Sequence, residues 1–120
     1  MKTLLLLATV ALIGSWPPQD KPVPVEDEPN HRTIFKNDYV QAFRVTLQPG
    51  QNTGMHIHAH DDVAVRLSNA TVAQQVLGKP VAPAETVEPG VVTARDNETA
   101  NLTHRVLNTG STVFDVIDVQ

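Results

Sequence analysis

The stretch "GMHIHAHDD", residues 54–62, decides how the whole sequence is interpreted. It holds three of the five histidines, His56, His58 and His60, and two aspartates follow them directly. Because a β-strand points residues i, i+2 and i+4 to one face, an extended conformation here would align these imidazoles with Asp62. The residues that alternate with the histidines are apolar, so the stretch predicts a strand that separates a core from a polar site.

The available side chains restrict the chemistry of that site. The chain has no cysteine, which excludes disulfides, thiolate-bound zinc and thiol nucleophiles. Two imidazoles at positions i and i+2 can bind one metal ion at about 2.0–2.2 Å, and a third ligand must then come from elsewhere. His104, in "NLTHRVLN", is the candidate because a second strand of a barrel can lie beside the first. Imidazole and oxygen donors suit Fe, Mn, Zn, Ni or Cu, and the choice among them stays open.

The rest of the chain predicts an all-β domain. "VQAFRVTLQPG", residues 40–50, alternates between apolar and polar residues, with a slip between Ala42 and Phe43 that indicates a bulge. Further short strand patterns follow, separated by turns rich in Gly, Pro and Asn. About eight or nine short strands and no convincing helix favour a β-barrel or sandwich.

The N-terminal residues predict export. Residues 1–15 combine Lys2 with an apolar run that is too short to span a bilayer and small residues at its end, which is typical of a secretory signal peptide. Residues 16–30 contain five prolines and are interpreted as an extended linker that excludes helix and sheet ladders. The domain is then predicted over residues 31–120, in the periplasm or outside the cell.

Length and charge restrict the partners. The chain has 120 residues, which suits one small domain, and its formal net charge is −4. It has no cluster of Lys or Arg that could hold a phosphate backbone, so nucleic-acid binding is not expected. The expected partners are a small-molecule ligand and a second copy of the chain, since small barrels with exposed edges often pair.

The spacing of these residues resembles the two motifs of the cupin superfamily. Gly50 is followed by five residues and then His56-Ile57-His58, and three residues later Asp62 stands where the family has Glu. Asn69 follows at the place of a motif glycine. The second motif ends in His, three residues and Asn, which His104 and Asn108 match; its proline and glycines are not matched, with Thr99 and Asn101 at two of those places.

This resemblance implies a single-domain, RmlC-like jelly-roll barrel over roughly residues 33–120. It also implies a divalent metal held by His56, His58 and His104, with Asp62 as a ligand in place of Glu or, alternatively, as a partner that orients an imidazole. Many members of the superfamily are metal-dependent dioxygenases or isomerases that act on small organic molecules. A non-catalytic metal or ligand module and a purely structural domain remain the alternatives.

Three further residues near the site are interpreted individually. His60 is either a pocket residue or a hydrogen-bond partner of a ligand. Arg66 shares the parity of Asp62 and so faces the interior, where it either pairs with an aspartate or binds a substrate carboxylate. His31 lies beside the linker and is expected on the surface. No separate catalytic acid or base is evident.

Overall fold

The computed structural model describes residues 21–120, so the predicted signal peptide and the first part of the predicted linker lie outside the described residues. The described chain forms ten strands and one short 3₁₀ helix at Val25–Asp27. No helix within residues 21–120 is long and apolar enough to span a membrane. The strands are β1 (Val23–Pro24), β2 (His31–Lys36), β3 (Gln41–Leu47), β4 (His56–His58), β5 (Asp62–Arg66), β6 (Ala70–Val76), β7 (Glu85–Val87), β8 (Val92–Arg95), β9 (Leu102–Asn108) and β10 (Phe114–Val119).

The strands form two five-stranded sheets. Their orders are β1-β4-β9-β6-β7 and β2-β3-β10-β5-β8, and every pairing except β1 with β4 is antiparallel. Apolar side chains from both sheets meet between them, because alternate residues of each strand point inward. The core consists of Val45, Leu47, Ala64, Ala70, Val72, Phe114 and Val116. The prediction of an all-β jelly roll is therefore confirmed.

The bulge expected at the slip in β3 lies on the neighbouring strand. Thr33 pairs with Phe43 and Phe35 pairs with Ala42, so Ile34 of β2 is the extra residue. An extra residue on one strand changes which face its partner presents at that point. Ala42 and Phe43 are consequently both buried although they are adjacent in sequence.

The N-terminal segment is part of the folded domain. Val23 pairs with His56 in a parallel bridge, and its N–H donates to the Met55 carbonyl at 3.2 Å. Val25 and Glu28 are only 1% and 2% exposed. The prediction that residues 16–30 exclude sheet pairing is thus wrong for Val23–Pro24, because a proline at the edge of a sheet does not need to donate a hydrogen bond.

The histidine-rich stretch changes sheet partway along. The strand of His56–His58 ends there, and the chain enters the second sheet at Asp62. Strand parity therefore aligns His56 with His58 but does not extend to His60. Within the first sheet β4 lies between β1 and β9, and His104 of β9 pairs directly with His56.

Candidate metal centre

Four of the five histidines meet between the two sheets. His56 and His58 come from β4, His104 from β9 and His31 from β2, and their exposed fractions are 0%, 1%, 2% and 7%. The ring centroid of His104 lies 4.7 Å from that of His56 and 5.2 Å from that of His58. The structure thus brings together imidazoles from distant segments of the chain, as the sequence predicts, and adds a fourth.

Each of these imidazoles has its Nδ1 atom next to an oxygen acceptor. The partner of His56 is the carbonyl of Gly54 at 2.9 Å, and that of His104 is the side-chain oxygen of Gln74 at 3.0 Å. His31 and His58 face carboxylates instead, with Nδ1 2.6 Å from Glu28 and 3.3 Å from Asp62.

These partners determine the tautomers. A carbonyl accepts only, so the ring proton of His56 is assigned to Nδ1 and the lone pair to Nε2. The Nδ1 of His58 is not within good hydrogen-bond geometry of Asp62, and their contact is a looser electrostatic one. With its proton on Nδ1, a histidine presents the Nε2 lone pair to a metal. In the metal-free protein the 3.1 Å contact between the Nε2 atoms of His56 and His58 is a hydrogen bond, which needs a proton on one of them.

Two of the Nε2 atoms are spaced as metal ligands are. Those of His56 and His58 lie 3.1 Å apart. Adjacent ligands with bonds of about 2.1 Å lie about 3.0 Å apart around an octahedral ion and about 3.4 Å apart around a tetrahedral one. The Nε2 of His104 is buried and has no hydrogen-bond partner among the described residues. A cation would satisfy all three lone pairs.

Burial keeps the imidazoles of His56, His58 and His104 neutral. It lowers the pKa of His56 to about 4 and the pKa of His58 and of His104 to about 2, with Arg95 and the neighbouring imidazoles contributing further. Neutral imidazole is the ligand form, so the site does not have to lose protons before it binds a cation at neutral pH.

The prediction that His31 lies on the surface is wrong. It is buried, and its ring centroid lies 4.4 Å from that of His56. Two sets of described residues bring their ligand atoms within 4.8 Å of one another: His31 with His56 and His58, and His58 with Asp62 and Asp118. His104 belongs to neither set. A lone histidine beside a proline-rich segment carries no sequence signal of this placement, because it depends on how residues 21–30 fold back.

Asp62 is buried behind the His58 ring and already has partners. Arg95 donates to both its oxygens, at 2.8 and 3.1 Å, and Asn97 donates to one at 2.7 Å. Its carboxylate faces the Nδ1 atom of His58, whereas the Nε2 atom of that ring faces His56. The Asp62 carboxylate therefore lies on the Nδ1 side of the His58 ring, away from the Nε2 atom that faces His56.

Asp118 is a site residue that the sequence analysis missed. It is 5% exposed, its Oδ2 atom contacts Arg95 at 3.4 Å, and its Oδ1 atom is buried with no partner among the described residues. Burial, together with the charge of Asp62, raises the pKa of Asp118 to about 6. The signal in the sequence is its parity in "FDVIDV", which places Asp118 on the same strand face as Phe114 and Val116.

His60 and Arg66 lie in different surroundings. His60 is exposed in the connection after β4 and is outside the four-histidine cluster. Arg66 lines the same cavity as the cluster, with its guanidinium carbon 5.8 Å from the centroid of the Phe114 ring. Within residues 21–120 it forms no ion pair, so the salt bridge considered from the sequence is not present there.

The cluster borders a small internal cavity of about 40 Å³. One water needs about 10–15 Å³ of such space, so the cavity suits an ion with a small ligand. Val72, Val106 and Phe114 give it apolar walls, while Gln74, Arg66 and Asp118 add polar groups. This composition is typical of a small-molecule site.

Solved structures share this architecture. A cupin domain from Bordetella pertussis superposes with a TM-score of 0.64 at 22% identity, covering 73% of this chain and 86% of that one. An RmlC-like cupin family protein with a double-stranded β-helix fold from Methanocaldococcus jannaschii gives a TM-score of 0.59 at 11% identity, covering 75% and 76%.

The chain has the cupin fold. A conserved protein with a double-stranded β-helix domain from Klebsiella pneumoniae matches as well, with a TM-score of 0.59 at 18% identity over 80% of this chain and 78% of that one. No family model matches the sequence. No curated protein matches it either. The resemblance seen in the sequence is thus confirmed at the level of the fold.

The cupin motif positions have clear structural roles here. Gly50 adopts φ 81°, which glycine tolerates best, whereas no other residue type has positive φ within residues 21–120. The asparagines at motif glycine positions therefore do not need the left-handed conformation. Asn108 is buried and its amide donates to the carbonyls of Leu47 and Thr112, which ties β9 to the second sheet.

The depressed pKa values predict that metal-free protein loses stability in acid. Unfolded imidazoles protonate near pH 6.5, whereas those of His56, His58 and His104 stay neutral to about pH 4 or below in the native state. Between about pH 6 and 4 these three imidazoles thus bind about three more protons in the unfolded chain than in the native one. Asp118 offsets one of them, because its pKa of about 6 lets the native state bind a proton that the unfolded chain does not yet bind. The free energy of unfolding should fall by at most about 2.7 kcal/mol per pH unit.

Urea unfolding in the presence of a chelator at pH 7, 6 and 5 measures this slope. Asp118→Asn should make it steeper, since that variant removes the group that offsets the imidazoles. His60→Ala, which changes an exposed histidine, is the control and should keep the wild-type slope. A free energy of unfolding that stays constant between pH 7 and 5 would contradict the prediction.

Proposed function

We propose that this cupin binds a divalent transition metal through His56, His58 and His104 and acts on a small organic acid in the adjoining cavity. The observation that supports the proposal is the arrangement of the rings. Each Nδ1 atom has an oxygen acceptor beside it, and the Nε2 atoms of His56 and His58 lie 3.1 Å apart. Without a cation the buried Nε2 atom of His104 has no partner among the described residues, which is costly.

Asp62 has an orienting role in this proposal. Its contact with the Nδ1 side of His58 holds that ring with Nε2 turned towards His56. The cation that balances its charge is Arg95, at 2.8 Å. A metal ion between Asp62 and Asp118 would have to displace that guanidinium, so we assign the metal to the imidazoles instead.

The cavity residues define the ligand. A bound divalent ion acts as a Lewis acid that polarises a carbonyl or carboxylate oxygen. Arg66 contributes a guanidinium without an ion-pair partner among the described residues, which suits a ligand carboxylate. Val72, Val106 and Phe114 line the remainder with apolar surface, and the small volume limits the ligand to a few heavy atoms.

Asp118 supplies a proton-transfer group. Its Oδ1 atom is buried without a hydrogen-bond partner among residues 21–120, and the residue lines the cavity. A carboxylate so placed can take a proton from a carbon next to a polarised carbonyl and return it. Between the two reaction classes considered, isomerase and dioxygenase, this arrangement favours the isomerase. A metal or small-ligand binding module without turnover is the alternative function.

Metal uptake tests the proposal first. After dialysis against Fe, Mn, Zn, Ni or Cu, elemental analysis should find one ion per chain in the wild type and none in the His56→Ala/His58→Ala variant. Asp62→Asn should keep this stoichiometry with an affinity about 10–100-fold lower, because an orienting partner rather than a ligand is changed. His60→Ala serves as the matched control. Equal metal content in the wild type and the double histidine variant would refute the proposal.

Ligand binding and turnover separate the enzyme from the binder. Metal-loaded protein should bind small carboxylates and not their neutral amides, and Arg66→Met should weaken binding about 10–100-fold by removing a charged hydrogen bond. If the protein is an isomerase, Asp118→Asn should lower turnover about 10²–10⁴-fold without changing the metal content. Binding of carboxylates with no turnover of any would support the binding module.

A further inference from the structure

We propose that His31 is a further metal ligand, so that the N-terminal segment contributes directly to the metal centre. The proposal rests on the metal site argued above, and it concerns a residue outside both cupin motifs. His31 begins β2, in the sheet opposite β4 and β9, which carry the other three imidazoles. A ligand from this strand would let the metal join the two sheets.

The position of His31 fits a ligand. Its side chain is 5% exposed, and its ring centroid lies 4.4 Å from that of His56 and 5.9 Å from that of His58. A ring nitrogen of each of the three residues lies within 4.8 Å of the other two. Small side-chain adjustments bring nitrogens at such distances to the spacing that one shared ion requires.

Glu28 fixes the orientation of this imidazole. Its Oε2 atom lies 2.6 Å from the Nδ1 atom of His31, and its Oε1 atom accepts the Gly54 N–H at 2.9 Å. The Gly54 carbonyl in turn accepts the Nδ1 proton of His56 at 2.9 Å. Glu28 and Gly54 therefore position two imidazoles through one chain of hydrogen bonds, which is how a carboxylate typically supports a metal-bound histidine.

An ion pair with Glu28 alone does not account for the placement. The Nε2 atom of His31 has no hydrogen-bond partner among residues 21–120, and the ring adjoins His56 and His58, whose Nε2 atoms contact each other at 3.1 Å. Asp62, the residue at the position of the cupin carboxylate, is held by Arg95 and Asn97. His31 is thus the additional side chain whose ring nitrogen is free to join the cluster.

The number of coordinated imidazoles tests the proposal. In Co²⁺-loaded protein each histidine bound through Nε2 gives a hyperfine-shifted, exchangeable Nδ1–H signal in the proton NMR spectrum. We expect four such signals in the wild type and three in His31→Gln. Co²⁺ affinity, measured by competition with a chelator, should fall at least tenfold in His31→Gln, and His60→Ala should match the wild type in both measurements.

Hydrogen exchange in the wild type gives a second test that needs no variant. Metal bound to His31 should slow amide exchange over residues 21–31, including the Val23 N–H that pairs with Met55. Three Co²⁺-shifted signals in the wild type, or an unchanged count in His31→Gln, would overturn this proposal and leave the metal site in place. No uptake of Co²⁺ by the wild type would overturn both.

Discussion

The orientation of the four histidine rings between the two sheets depends on the free-energy cost of burying imidazoles. A buried ring nitrogen without a partner loses its interaction with water, and a buried charge costs more, so buried rings need oxygen partners. Here each of four rings has an oxygen acceptor beside Nδ1, supplied by Gly54, Gln74, Asp62 and Glu28. The acceptors come from four separate segments, so the four imidazoles are oriented between the sheets only when both sheets are assembled.

The fold brings these segments together through strand register. The pairing of β4 with β9 sets His104 opposite His56, and β6 on the other side of β9 supplies Gln74. Asn108, four residues after His104, links β9 to Leu47 of the other sheet. Of the two residues that match the second cupin motif, His104 thus belongs to the histidine cluster and Asn108 links the two sheets around it.

The sequence predicts those parts of the site that depend on local periodicity. Alternation alone aligns His56 with His58, and the spacing to His104 and Asn108 indicates the fold. The parts it does not predict depend on contacts between distant segments. His31 lies in the site because residues 21–30 fold back onto β4. Asp62 accepts a hydrogen bond from Arg95, which belongs to a strand more than thirty residues later. Asp118 shares the buried face of its strand with Phe114 and Val116, but the pattern does not reveal that this face borders a cavity.

The most direct test of the central claim is an anomalous-scattering map from crystals grown with the metal that the protein retains, recorded at the absorption edge of that metal. The account predicts one strong peak about 2.0–2.2 Å from the Nε2 atoms of His56, His58 and His104. A peak between Asp62 and Asp118 in place of Arg95, or no peak among the imidazoles of protein shown to contain metal, would contradict it.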